Sequence, residues 1–240
     1  ELYLDRDPLV FSTGPLNGFF PFASKTSVIL RKDGLVEDIY LGGSLSTRIK
    51  FSSLDSIVIC GKAEEEIIFE IQNSEVNFHN EAVDIQSLGL PGKRSALYFD
   101  GKKVLADHYF TTPEDYLENK FFEKNLKGIS VTGTELFSLK NFDDYKKLYY
   151  EILDRKKDLR VVEGVYPSCS NCPMGCGKSK VGEIGGNVLI NSLVACQFAD
   201  KIYSDIGTVF SCLNVLGYGY THEDIENLPR LIEKTLKDIR

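Results

Sequence analysis

The chain has 240 residues, of which 42% are hydrophobic and 26% charged, with 28 basic against 35 acidic side chains for a net charge of −7. That length builds one large domain or two small ones, and the composition excludes disorder, collagen and coiled coil as the main architecture. No apolar run approaches the roughly 20 residues of a membrane span. The acidic balance argues against a nucleic-acid surface, and Glu1-Leu-Tyr-Leu-Asp-Arg6 does not read as a signal peptide.

Up to about residue 135 the pattern is β-rich. Thr26–Arg31, Ser56–Cys60 and Glu66–Ile71 are short, apolar and β-branched, and Glu75–His79 alternates with period two as a half-buried strand should. Turn signals separate them at Gly14-Pro15, Asp33-Gly34, Gly42-Gly43, Gly61-Lys62, Pro91-Gly92 and Asp100-Gly101. Short strands at this spacing predict a mostly antiparallel sheet system.

The pattern then changes period. Asn141 is an N-cap for a helix whose apolar positions are Phe142, Tyr145, Leu148, Tyr149, Ile152 and Leu153, closed by Arg155-Lys156-Lys157 at its negative end. Residues 188–213 are compatible with helix. Thr221-His-Glu-Asp224 has capping-box spacing ahead of Ile225, Leu228, Ile232, Leu236 and Ile239, with Pro229 expected to kink the helix or mark a late first turn. These features give an α+β chain, with a β-rich domain over 1–138 and a helical region over 139–240.

The cysteines carry the chemistry. Cys169-Ser-Asn-Cys172-Pro-Met-Gly-Cys176 puts three thiols within eight residues. Three neighbouring thiolates repel one another unless a cation holds them, so the spacing points to a metal centre. A C-x2-C-x3-C loop can offer three corners to a [4Fe–4S] cluster, with a fourth sulfur from Cys196, Cys212 or Cys60. A structural zinc site normally pairs two such knuckles, and no second one is present, although zinc and metal-free readings stay open. Nothing implies an oxidising compartment, which disfavours disulfides. Cys60, within a strand, is expected to be a small buried hydrophobe.

Several segments taken in order resemble the tungsten-containing aldehyde:ferredoxin oxidoreductase family. Leu9-Val-Phe-Ser-Thr-Gly-Pro-Leu-Asn-Gly18 is similar to its G-P-L-T-G strand and turn. Leu41-Gly-Gly-Ser44 with Ile49-Lys-Phe51 resembles its glycine-pair segment, and Asp55–Ala63 and Lys124–Ile129 resemble two further motifs. The cysteine loop matches the family's cluster loop, and Asn191-Ser-Leu-Val-Ala-Cys-Gln-Phe198 resembles the segment that supplies its fourth ligand. The resemblance therefore implies a β-sheet base domain and a [4Fe–4S] cluster on Cys169, Cys172, Cys176 and Cys196. It also implies a tungsten bis-pterin cofactor, near which Lys25, Gly42 and Gly43 would lie, and electron transfer to ferredoxin or a larger oxidoreductase subunit.

The departures from the family are selective. Only nineteen residues separate Cys176 from Cys196, where the family carries a long helical region. Lys25 stands in place of a pterin-site arginine, whose bidentate fork it cannot reproduce. Asn191 replaces an aspartate, and Thr112–Leu117 lacks the glycines of the pterin loop. The expectation is a cluster-binding electron-transfer protein or subunit without its own tungstopterin or substrate site. The alternatives are a tungstopterin-dependent aldehyde oxidoreductase, alone or with a partner chain, and a metal-stapled structural protein. Paired glycines are common turn residues, so the simpler and favoured reading is Gly42-Gly43 as a bend between strands and Lys25 as a surface charge. A cytoplasmic, anaerobic setting with a redox partner is implied, with no nucleic acid and no membrane, and a homodimer is compatible with the chain.

Overall fold

The computed structural model describes residues 6–108, 111–112, 115–158 and 199–238. It places two sheets in the first 132 residues and helices after them, an α+β arrangement.

The first sheet has the order β3-β2-β1-β4, with β1 Leu9–Ser12, β2 Thr26–Lys32, β3 Leu35–Leu41 and β4 Ser56–Ile59, antiparallel throughout. Asp33 and Gly34 join β2 to β3 with positive φ at both positions (50° and 82°), the conformation a two-residue hairpin loop needs. The second sheet has the order β6-β5-β9-β7-β8, from β5 Ile67–Gln72, β6 Glu75–Asn80, β7 Arg94–Phe99, β8 Val104–Ala106 and β9 Leu126–Thr132. It too is antiparallel except where β9 slots in beside β5 in parallel.

Period-two alternation sends one row of each strand inward. Leu9, Phe11, Val28, Leu30, Ile39, Leu41 and Ile57 of the first sheet share a core with Phe69, Ile71, Leu97, Ile129 and Val131 of the second. Helix α1 (Leu45–Lys50) adds Leu45 and Ile49, and α2 (Tyr116–Lys124) adds Leu117 and Phe121. Each such side chain contributes about 1.5–3 kcal/mol by leaving water. At Gly133 a Cβ would lie 2.2 Å from the Arg48 carbonyl oxygen, so only glycine lets the chain leaving β9 pass under α1.

Beyond an extended stretch lie α3 (Phe142–Asp154), the short α4 (Asp200–Tyr203), α5 (Ile206–Val215) and α6 (His222–Asp238). Asn141 caps α3 by accepting from the Asp144 amide. Thr221 and Asp224 exchange reciprocal bonds at the start of α6, as the capping-box spacing predicts. Helix α6 runs through Pro229 without interruption. In the 188–213 stretch, the described part is broken into α4 and α5 at Asp205, whose carboxylate caps the second.

These helices form a second core with the turn that follows β1. Leu16, Phe20 and Ala23 of that turn pack with Ile152, Ile202, Tyr203, Val209, Cys212, Leu213 and Ile225. Asn17 holds the turn, accepting from the Gly14 amide at 2.5 Å and donating to the Ala23 carbonyl at 2.8 Å. The Tyr145 and Tyr203 hydroxyls donate to the Phe19 and Pro21 carbonyls.

Candidate functional site

The proposed cluster ligands Cys169, Cys172, Cys176 and Cys196 lie outside the described residues. Among the described residues no group of three or more His, Cys, Asp or Glu side chains could hold a metal ion. The two described cysteines divide sharply. Cys212 is fully buried on α5, and burial pushes its thiol up to about 12, so it packs as a hydrophobe. Cys60 does not: it lies one residue past the end of β4 and is exposed, which corrects the expectation of a buried strand residue. The strand ends at Ile59 because Gly61 turns the chain at positive φ (76°).

Lys25, Gly42 and Gly43 come together at the end of the first sheet. Lys25 immediately precedes β2, and Gly42-Gly43 link β3 to α1, a strand-to-helix turn rather than a bend between strands. Gly43 takes φ 98°, a conformation that favours glycine. Lys25 is not a surface charge: it is 2% exposed, with its ammonium 5.3 Å from the centre of the Tyr40 ring.

Around it is a polar network that sequence patterns did not single out. Asp38 on β3 accepts from Ser27 Oγ at 2.6 Å and from the Tyr40 hydroxyl at 2.7 Å. Burial pushes the Asp38 carboxyl above its ordinary value, against those two hydrogen bonds and the nearby charge of Lys25. The Tyr40 hydroxyl is pushed up by burial and by the adjacent Asp38. A polar strand residue such as Asp38 ordinarily reads as solvent-facing, so nothing in the local pattern marks it as part of a buried site.

The glycine turn is closed from the other side by Asp107. One carboxylate oxygen accepts from the Ser44 amide (3.1 Å) and hydroxyl (2.7 Å), and the other from Ser95 Oγ (2.8 Å) and the Ala96 amide (3.2 Å). Asp107 and His108 both have positive φ (52° and 62°), uncommon for non-glycine residues. The donors of Ser44 thus face a carboxylate of the chain itself, whose charge repels a phosphate at this turn. These residues do not fit a phosphate-bearing pterin. Thr112, at the start of the stretch matched to the pterin loop, is buried, as is Thr111 before it.

On the outer face of the second sheet, Glu70 is buried and pairs with His79 at 2.7 Å. Burial acts to raise its carboxyl, but hydrogen bonds from Gln72 and His79, the His79 charge and the Gly89 amide outweigh it and hold it below the usual range. On α2, Glu118 accepts from the Val104 amide at 2.8 Å, while burial raises its carboxyl.

Comparison with known proteins bears on the first sheet and on β5 to β7 of the second. Residues 3–100 match the family model described as the aldehyde ferredoxin oxidoreductase N-terminal domain. Among solved structures, a chain of the active site complex BamBC of benzoyl coenzyme A reductase, in complex with 1,5-dienoyl-CoA, is similar with a TM-score of 0.54 at 18% identity. The match covers 65% of this chain and 29% of that one, so the chain spans less than a third of that protein's length. At that identity the likeness establishes fold. No helix among the described residues is long and apolar enough to cross a membrane.

Proposed function

Starting from an N-terminal domain of the aldehyde ferredoxin oxidoreductase family over residues 3–100, we propose that the chain is an electron-transfer protein or subunit of that oxidoreductase lineage, holding a [4Fe–4S] cluster and no tungstopterin of its own. The single observation that supports it most is the set of three thiols in Cys169–Cys176 downstream of that domain, while the glycine turn on the domain is closed by Asp107. Cys169, Cys172 and Cys176 would supply three ligands and Cys196 the fourth, and Cys212 is occupied in packing. A cluster of this kind supplies one-electron transfer at a potential set by its surroundings. The residues of the chain would bind it, limit water access and present one edge to a redox partner, either a ferredoxin or a larger oxidoreductase subunit in a reducing cytoplasm. The similar chain belongs to an active site complex, BamBC, which supports the subunit form of this reading. The 1–138 and 139–240 division follows as the sheet domain and the cluster-bearing region.

Metal analysis of anaerobically purified protein tests the proposal. About four iron per chain with neither tungsten nor molybdenum is expected. Stoichiometric tungsten would overturn it in favour of a tungstopterin enzyme, and one zinc without iron in favour of a metal-stapled domain. Cys196→Ser should lose most of the iron, and Cys212→Ser should keep it.

A further inference from the structure

The strand β6 departs from its predicted half-buried pattern in an informative way. Val76 and Phe78 sit opposite Ile71 and Phe69, on the face of the sheet that elsewhere forms the core, with the Phe69 and Phe78 rings 5.4 Å apart. Yet Val76 is 49% exposed and Phe78 66%. The first sheet has four strands and the second five, and nothing among the described residues covers the fifth. Beside these side chains lies an open groove of about 340 Å³, lined with Val58, Ile59, Phe69 and Leu126 together with Lys62 and Lys124.

Beta-sheet edges are normally protected by lysine, proline, bulges, short length or a covering element. The opposite edge, β8, has three residues and lies beside α2. By contrast β6, Glu75-Val-Asn-Phe-His-Asn80, is six residues long, has no lysine, proline or bulge, and is covered by no element among the described residues. Glu75 and Gln72 flank a two-residue loop and pair with each other, so they exchange the first hydrogen bonds of the hairpin. The bonding direction alternates from there. Glu75, Asn77 and His79 point their backbone groups at β5, whereas Val76, Phe78 and Asn80 point theirs outward.

We propose that this edge binds a second copy of the chain, β6 pairing antiparallel with β6 about a two-fold axis at Asn77. This register is self-complementary at every level. Val76 and Phe78 of one copy face Phe78 and Val76 of the other, and as outward-pointing residues they can exchange backbone hydrogen bonds. Their side chains form one four-residue apolar patch continuing the groove floor. On the other face Glu75 lies opposite the partner's imidazole at position 79, which already pairs with Glu70 in its own chain, so each imidazole is set between two carboxylates. A slip by two residues loses this match, placing Asn77 opposite His79 and Val76 opposite Asn80.

Sedimentation of the full chain tests the pairing. At about 100 µM a dimer is expected, and Phe78→Lys should raise the dissociation constant by about tenfold or more. A monomer at that concentration, or a dimer unaffected by Phe78→Lys, would overturn the proposal. Cross-linking tests the register without disturbing the fold. At Asn77 the two backbones would be about 4.5 Å apart, within disulfide reach, while two copies of residue 75 would be well beyond it. In a Cys60→Ser background, Asn77→Cys should give a disulfide-linked dimer under mild oxidation and Glu75→Cys should not. Equal yields from both, or none from Asn77→Cys, would overturn it.

Discussion

The two larger hydrophobic cores among the described residues are assembled in opposite ways. The sheet core is drawn entirely from Leu9 to Val131, and its members are supplied strand by strand along one continuous stretch. The helical core is stitched: among the described residues, Ile152 and the residues from Ala199 to Ile225 pack with Leu16, Phe20 and Ala23, more than a hundred positions upstream. A boundary that is sharp in composition is therefore not a boundary in space. The turn after β1 belongs to the sheets by sequence and to the helices by packing.

The largest expected effect breaks the contrast at its strong side. Phe121→Ala on α2 empties a fully buried site in the sheet core and should cost about 3–5 kcal/mol in denaturant unfolding. Phe20→Ala sharpens the comparison. It should cost about 3–4 kcal/mol, but hydrogen exchange should show α5 losing protection while β5 and β9 keep theirs. Equal loss in both regions would mean the two cores open as one unit.

Asp107→Ala should cost about 1–3 kcal/mol, because four donors around Ser44, Ser95 and Ala96 lose their shared acceptor. The smallest effect is a pH dependence confined to the second sheet. Glu70 has a folded-state value below its unfolded one. Its contribution is present above the ordinary carboxylate value of about 4.5 and is lost as pH falls through the lower folded value. Glu70→Gln should therefore flatten the acid limb of the stability profile. An unaltered acid limb would place the titration elsewhere.

Alternation and capping were legible in the sequence wherever local chemistry decided the outcome. Thr26–Lys32, Ser56–Ile59 and Ile67–Gln72 carry β-branched runs, and Asn141 and Thr221 cap the helices that follow them. Strand β3 was not legible, because Glu37 and Asp38 interrupt its apolar pattern and only the tertiary network with Ser27 and Tyr40 makes Asp38 acceptable inside. Cys60 read as part of a strand, but the chain turns at Gly61 before the residue can be covered. Lys25 read as a surface charge because burial of a lysine beside Tyr40 and Asp38 depends on residues thirteen and fifteen positions away. At the candidate site, Gly42 and Gly43 were visible as a turn, whereas Asp107, which closes it, has no signature beyond an unremarkable Ala-Asp-His run.

Strand β9 lies at the centre of the second sheet yet is its last strand to be synthesised. Until Leu126–Thr132 emerges from the ribosome, β5–β6 and β7–β8 can exist only as separate hairpins, each marginal in water. Ile129 and Val131 then join both at once, pairing parallel with Phe69 and Ile71 and antiparallel with Leu97 and Ser95. Commitment of the sheet to its native pairing is thereby timed to arrive just before the cysteine-bearing segment is made. The sheet scaffold is complete before the thiols of Cys169, Cys172, Cys176 and Cys196 are made.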